Sequence, residues 1–223
     1  MKTAPLLTYE KPGKYESSRL EKIHNLIFDN SVIGSIAVAN EIATLIKEKQ
    51  KTNAICVLGL ATGSSPIKVY EELIRLHKTE NLSFKNVVTF NLDEYFPMHH
   101  DDIQSYHYFM NEHLFKHIDI LPENINIPNG ECTVEENLVF CAQYEEKIKN
   151  LGGIDFQLLG IGRTAHIGFN EPGSHQNSTT RMVTLDHVTR SDAAGSFLGM
   201  ENVPKKAVTM GISTVLEARR IVL

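Results

Sequence analysis

Apolar residues recur along the chain at two different periods, and the alternation between those periods outlines an α/β protein. After an irregular start with Pro5, Pro12 and Gly13, Leu20, Ile23, Leu26 and Ile27 stand three and four apart, which predicts a helix over 15–30. Asn30 or Ser31 can cap a second helix that runs to about Lys49, with Ile36, Ala39, Ala43 and Ile46 on its inward side. Residues 54–60 form a continuous apolar run too short for a helix. It ends in Thr62, Gly63, Ser64 and Ser65, and Pro66 opens another helical pattern, so this stretch reads as strand, tight loop and helix N-terminus. The unit then repeats. Residues 87–92 are a second buried strand, 104–117 are helical, Thr133 and Glu136 make a capping box for a helix to about Asn150, and 154–161 are a third strand. Further strands are expected at 206–210 and 219–223. This alternation predicts a mainly parallel sheet covered on both faces, whose ligands sit at the carboxyl ends of the strands. The loops to inspect are therefore 61–65, 93–102 and 162–173.

Composition narrows the picture. The 223 residues carry 22 Lys and Arg against 27 Asp and Glu, a formal net charge of −5, and 42% are hydrophobic. That length suits one domain, 1–223, of which 1–50 is an N-terminal helical part. The last apolar run has no helix to cover it, so the domain is expected to continue past Leu223. Mild acidity argues against the basic footprint of a nucleic-acid or anionic-membrane binder. No apolar run reaches the ~18 residues of a span, and no charged segment leads into a signal-like core, so a cytoplasmic protein with no membrane partner is expected. Cys56, Cys132 and Cys141 are odd in number and form no C-x-x-C pair; they read as reduced thiols.

Each loop carries candidate chemistry beside a plainer reading. In 61–65, glycine lets the backbone approach a ligand and Thr62, Ser64 and Ser65 add hydroxyls ahead of a helix, a phosphate cradle or an ordinary turn with a Ser cap. The lysine of a Walker A loop is absent. Gly160, Gly162 and Ala165 match a dinucleotide fingerprint, but Pro172 and Gly173 interrupt the long helix it needs, so the loop more simply delivers His166 and Glu171 to a site. A carboxylate five residues from an imidazole can fix its tautomer, or the two form a structural pair. Asp93 and Glu94 follow a buried strand directly, where desolvation tunes an acid towards a general base; either is also a common cap. His99, His100, Asp101, Asp102, His107, His113 and His117 invite a metal reading, yet Glu112 and Lys116 among them point to a solvated helix face and no metal is expected.

Taken in order, Ala61-Thr-Gly-Ser-Ser-Pro66, Val88-Thr-Phe-Asn-Leu-Asp-Glu-Tyr95 and His166-Ile-Gly-Phe-Asn-Glu-Pro172 resemble the glucosamine-6-phosphate deaminases, relatives of the 6-phosphogluconolactonases. Ser83-Phe84-Lys85, Pro122-Glu-Asn-Ile-Asn126 and Gln143-Tyr-Glu-Glu-Lys-Ile148 add to the likeness, which runs from about residue 50 to the end. The resemblance implies a Rossmann-like three-layer α/β/α fold that needs no cofactor and turns D-glucosamine 6-phosphate and water into D-fructose 6-phosphate and ammonia. In that reading Asp93 carries a proton from C2 to C1, His166 assists ring opening, Glu171 orients it, and Thr62, Gly63, Ser64 and Ser65 cradle the phosphate.

The chain also departs from that family. Thr164 stands where an acidic or amide group is usual two positions before the histidine, and threonine takes up no proton at neutral pH. A phosphate-gripping arginine falls at Gly195, with Arg190 or Arg163 as substitutes, and the family's phosphate lysine lies past Leu223. Arg181 matches an effector-binding residue, but Val183 replaces its basic companion, so that regulation is not expected. Thr164 is placed among the substrate-binding residues. The partner is a small sugar phosphate, with a homo-oligomer or a further domain in a longer chain left open. Alternatives are a non-catalytic sugar-phosphate-binding module and a lactonase.

Overall fold

The computed structural model describes residues 25–223. Most of the helix expected over 15–30 lies outside them; 25–30 contain no helical turn, and Leu26 and Ile27 are exposed. Helix α1, Ser31–Lys51, starts where Asn30 accepts the Ile33 N–H at 3.0 Å. It buries Ala39, Ile42, Ala43 and Ile46, while Ile36, one turn earlier, stays half exposed because the buried stripe begins only at Ala39.

Strand β1, Cys56–Leu60, leads into α2, Ile67–Glu80, and then β2, Val87–Asn91. There follow β3 (Asp93–Phe96), α3 (Tyr106–His113), β4 (Ile125–Asn126), α4 (Val134–Asn150) and β5 (Phe156–Leu158). The remainder is β6 (Arg181–Thr184), α5 (His187–Ala193), β7 (Lys206–Thr209), α6 (Ile212–Leu216) and β8 (Ile221–Val222). The capping box of α4 forms as expected, with Thr133 and Glu136 each bonding the other's backbone N–H.

Five strands make one parallel sheet in the order β4-β2-β1-β5-β8. Successive residues of a strand face opposite sides, and the core divides accordingly. Cys56, Leu58 and Leu60 pack with residues of α1 and α2, whereas Val57, Val88 and Phe90 pack with Tyr144 and Ile148 of α4 and Val215 of α6. The result is the three-layer α/β/α arrangement. From β1 the chain builds outwards through β2 to β4 on one side and then places β5 and β8 on the other, so a topological switch point falls between β1 and β5.

A second sheet, antiparallel in the order β3-β7-β6, was not apparent in the sequence. Its first strand occupies 93–96, where a loop was expected. Leu92 alone separates β2 from β3 and belongs to both neighbourhoods. Its N–H donates to the Leu60 carbonyl at 3.0 Å, and its own carbonyl accepts from the Met210 N–H at 2.7 Å.

Asp155 ties three parts of the parallel layer together. This buried carboxylate accepts the Val57 N–H at 2.9 Å on one oxygen, and Lys49 at 2.8 Å and Arg219 at 3.0 Å on the other. Asp155→Ala orphans a buried strand amide and is expected to lower stability by about 2–3 kcal/mol. Lys49→Ala removes a partner that is itself partly solvated and should cost about 1 kcal/mol or less. Urea unfolding of both variants checks the contrast, and equal losses would contradict it.

Candidate active site

The loops that follow β1, β2 and β5 meet at the switch point and enclose a cleft of about 250 Å³. Thr62, Gly63, Ser64 and Ser65 line one side, Leu92, Asp93 and Tyr106 another, and Gly162, His166, Gly168 and Phe169 the third. Residues as far apart in the chain as Thr62 and Phe169 thus share one cavity. A larger and more open hollow of about 460 Å³, beside Asn129, Cys132 and Phe140, contains none of these motif residues.

Asp93 and Glu94 divide the two roles between them. Both are buried, but only Asp93 faces the cleft. Its carboxylate accepts no hydrogen bond among the described residues, and burial followed by the neighbouring Glu94 charge pushes its pKa up to about 8. Glu94 turns the other way and accepts the N–H groups of Tyr106 at 2.9 Å and His107 at 3.0 Å, capping α3, as well as its neighbour Tyr95 at 3.0 Å. Burial raises it to about 7 against the downward pull of those three donors. Alternation along β3 sends adjacent side chains to opposite faces, so one acid becomes a cap and the other a cleft residue.

The 160–173 segment is a turn rather than a helix start. The Gly162 N–H bonds to the His166 carbonyl and the Ala165 N–H to the Gly162 carbonyl, both at 2.9 Å, with Ala165 left-handed at φ 62°. The dinucleotide fingerprint is therefore not realised. Gly162 is required because the His166 ring lies where a side chain would be: Nε2 is 2.1 Å from an ideal Cβ position. Gly168, at φ +56°, lets the loop pass Asp93, whose Oδ2 would lie 3.3 Å from an added Cβ.

Beyond the glycine the chain is anchored residue by residue. Phe169 packs against Tyr95, and its N–H bonds to Thr209. Asn170 donates to the carbonyls of Ile167 and Met210 and accepts from Arg181. One oxygen of Glu171 accepts the Thr189 hydroxyl and the Asp186 N–H; the other is buried, unpaired and 3.5 Å from His166 Nδ1. Thr164 does not line the cleft, because its hydroxyl turns to His166 Nδ1 at 2.8 Å. Thr189 and Tyr106 had no signature in the sequence, since each meets the site only through tertiary packing.

On the opposite wall, Gly63 adopts φ 93°, and Pro66 caps α2 with no side-chain hydrogen bond. The Ser-cap reading of this turn is thereby replaced: Ser64 and Ser65 are exposed and make no hydrogen bonds among the described residues. The cations named as possible substitutes at Gly195 are otherwise engaged. Arg190 donates to the carbonyls of Met200 and Val203, and Arg163 pairs with Asp192 at 2.8 Å. Arg181 holds Asn170 and Ser174.

His99, His100 and Glu131 form the cluster of metal-type ligands found among the described residues, and all three are exposed. Glu131 accepts the His100 N–H and faces both rings, but the Asp101 N–H donates into His99 Nδ1. That leaves the neutral ring's proton on Nε2, directed at Glu131, and the group is a hydrogen-bonded loop contact. His113 packs on Phe109 while His117 meets the Glu112 carbonyl, so their helical spacing creates no shared site. The three cysteines are free; burial pushes Cys56 to about 12 and Cys141 to about 11, keeping both as thiols.

Fold and site together define a doubly wound α/β protein with an acid and an imidazole in its switch-point crevice. The chain belongs to the glucosamine-6-phosphate isomerases/6-phosphogluconolactonase family, whose model matches residues 34–223. It is 51% identical over 181 residues to glucosamine-6-phosphate deaminase 1 of Bacillus subtilis, covering 81% of this chain and 72% of that protein. A glucosamine-6-phosphate deaminase-like protein of Bacteroides thetaiotaomicron is 45% identical over 218 residues, 96% of this chain, but the match spans only 33% of that longer protein. Among solved structures, a monomeric glucosamine-6-phosphate deaminase superposes with a TM-score of 0.81 at 48% identity, over 86% of this chain and 77% of the other.

The raised Asp93 acid has a stability signature. Below about pH 4 the carboxyl is neutral both folded and unfolded; between about 4 and 8 only the unfolded chain ionises, so its burial costs increasing stability as pH rises. Asp93→Asn is therefore expected to gain on the wild type across that window by on the order of a few kcal/mol, relative to their difference at pH 4. Urea unfolding from pH 4 to 8 measures this, and a constant difference would contradict the buried, neutral acid.

Proposed function

We propose that the chain converts D-glucosamine 6-phosphate and water into D-fructose 6-phosphate and ammonia. The carrying observation is Asp93, a buried carboxyl with its pKa at about 8, facing the same cleft as His166 and the 61–65 loop. A general base works best with a pKa near the operating pH, and a single carboxylate beside both carbons can relay the same proton.

In this reading the phosphate rests on the backbone of 62–65 and the first amides of α2, helped by the Thr62, Ser64 and Ser65 hydroxyls. His166 moves the ring proton to open the sugar. Asp93 removes the proton from C2 of the open aldehyde and delivers it to C1, leaving a C2 imine. Water adds to that carbon and ammonia leaves, so the ketose forms with no change of oxidation state overall. No step calls for a cofactor. Glu171 sets the charge behind His166, and Thr164 supports the ring instead of touching the sugar.

The retention of all three groups in one constellation favours this reading over a sugar-phosphate-binding module. A lactonase of the same fold would have no use for an enolising base at position 93. Ammonia and fructose 6-phosphate release should fall by about a thousandfold or more in Asp93→Asn, while calorimetric binding of the sugar phosphate is retained. Binding without turnover in the wild type would instead favour the module. His166→Ala should slow the cyclic substrate more than one presented in the open form; equal losses would contradict its ring-opening role.

A further inference from the structure

The hydroxyl that aligns His166 is the unexpected feature of the site. Glu171 is the natural orienting group by sequence, yet its nearer oxygen stands 3.5 Å from Nδ1, beyond a good hydrogen bond, whereas Thr164 Oγ1 stands at 2.8 Å. Glu171 is also not free to close that gap. Its other oxygen is held by the Thr189 hydroxyl and the Asp186 N–H, both at the start of α5.

The geometry points to Thr164 as the positioning residue of His166: its Oγ1 accepts the Nδ1–H, so that the neutral ring keeps its lone pair on Nε2, while Glu171 supplies charge without a direct bond. Two orientations of the contact are chemically possible, and the surroundings distinguish them. If the threonine hydroxyl donated to Nδ1, the ring's lone pair would face the unpaired, buried Oε2 of Glu171, acceptor against acceptor. With the proton on Nδ1, the same oxygen faces a partial positive charge, and Thr164 uses a lone pair it has to spare. A ring that gains a second proton retains this Nδ1–H, so the alignment survives both protonation states. The ring is fixed from its other side as well, because it occupies the space above Gly162. A residue that cannot exchange a proton at neutral pH thus serves where alignment alone is needed.

The catalytic consequence rests on the acid–base role proposed above for His166; the tautomer does not. Nitrogen-15 NMR of histidine-labelled protein, with His166→Gln to assign the signal, reads the tautomer directly at a pH where the ring is neutral. The expected result is Nδ1–H in the wild type, a mixture of tautomers in Thr164→Val, and recovery in Thr164→Ser. In deaminase assays Thr164→Val should lose about tenfold in kcat with KM within about twofold, and Thr164→Ser should recover most of it. A wild-type ring protonated on Nε2 overturns the proposal, and so does a Thr164→Val protein with an unchanged tautomer. A wild type that shows the expected tautomer but releases no ammonia leaves the positioning role standing and refutes the deaminase reading.

Discussion

The passage of the chain from one sheet into another at Leu92 is the constraint on which the site depends. The residue closes a hydrogen bond to β1 through its N–H and another to the end of β7 through its carbonyl, so the two sheets share a single backbone unit. No slack remains between β2 and β3. Asp93 is consequently set where the parallel strands end and the antiparallel ones begin, with protein on nearly all sides. Burial there, with the neighbouring Glu94 charge added, is what raises its pKa.

The same crossing arranges the partners of Asp93. Because β3 pairs with β7, Thr209 lies opposite Asp93 and binds the Phe169 N–H, and Met210 accepts from Asn170. The His166 loop is therefore fastened to the second sheet while its histidine reaches over the first. Tyr95, Tyr106 and Phe169 pack mutually at centroid distances of 5.1–6.0 Å and stiffen the wall between them. Helix α5 contributes from outside through Thr189 on Glu171 and Asp192 on Arg163. A site divided among loops is thereby held by rigid elements, as proton transfer over short distances demands.

Much of this was legible in the order of residues. The strand-loop-helix unit ending at Pro66, the capping box at Thr133 and the late strands near 206 and 221 were all apparent, because period and capping are local properties. The rule that ligands gather at strand carboxyl ends singles out three loops, and Thr62, Gly63, Ser64, Ser65, Asp93 and His166 from them line one cleft, with Glu171 behind His166. Residues 93–96 were less accessible. Four residues after a strand look like a loop, and only their pairing with a segment more than a hundred positions away makes them a strand.

The chain by itself determined most of the element types, the family and the chemical groups on offer, since hydrophobic period, caps and glycine positions act over a few residues. Tertiary structure alone decided what each group became. Asp93 and Glu94 are adjacent and chemically alike, yet alternation across a strand junction makes one a buried acid in the cleft and the other a helix cap. Thr164, lacking an ionisable side chain, reads in the sequence as a substrate-binding residue; in place, its hydroxyl is 2.8 Å from Nδ1 of the His166 ring. Such roles turn on differences in distance, 2.8 against 3.5 Å at the His166 ring, between residues brought together by packing, and no local pattern encodes them.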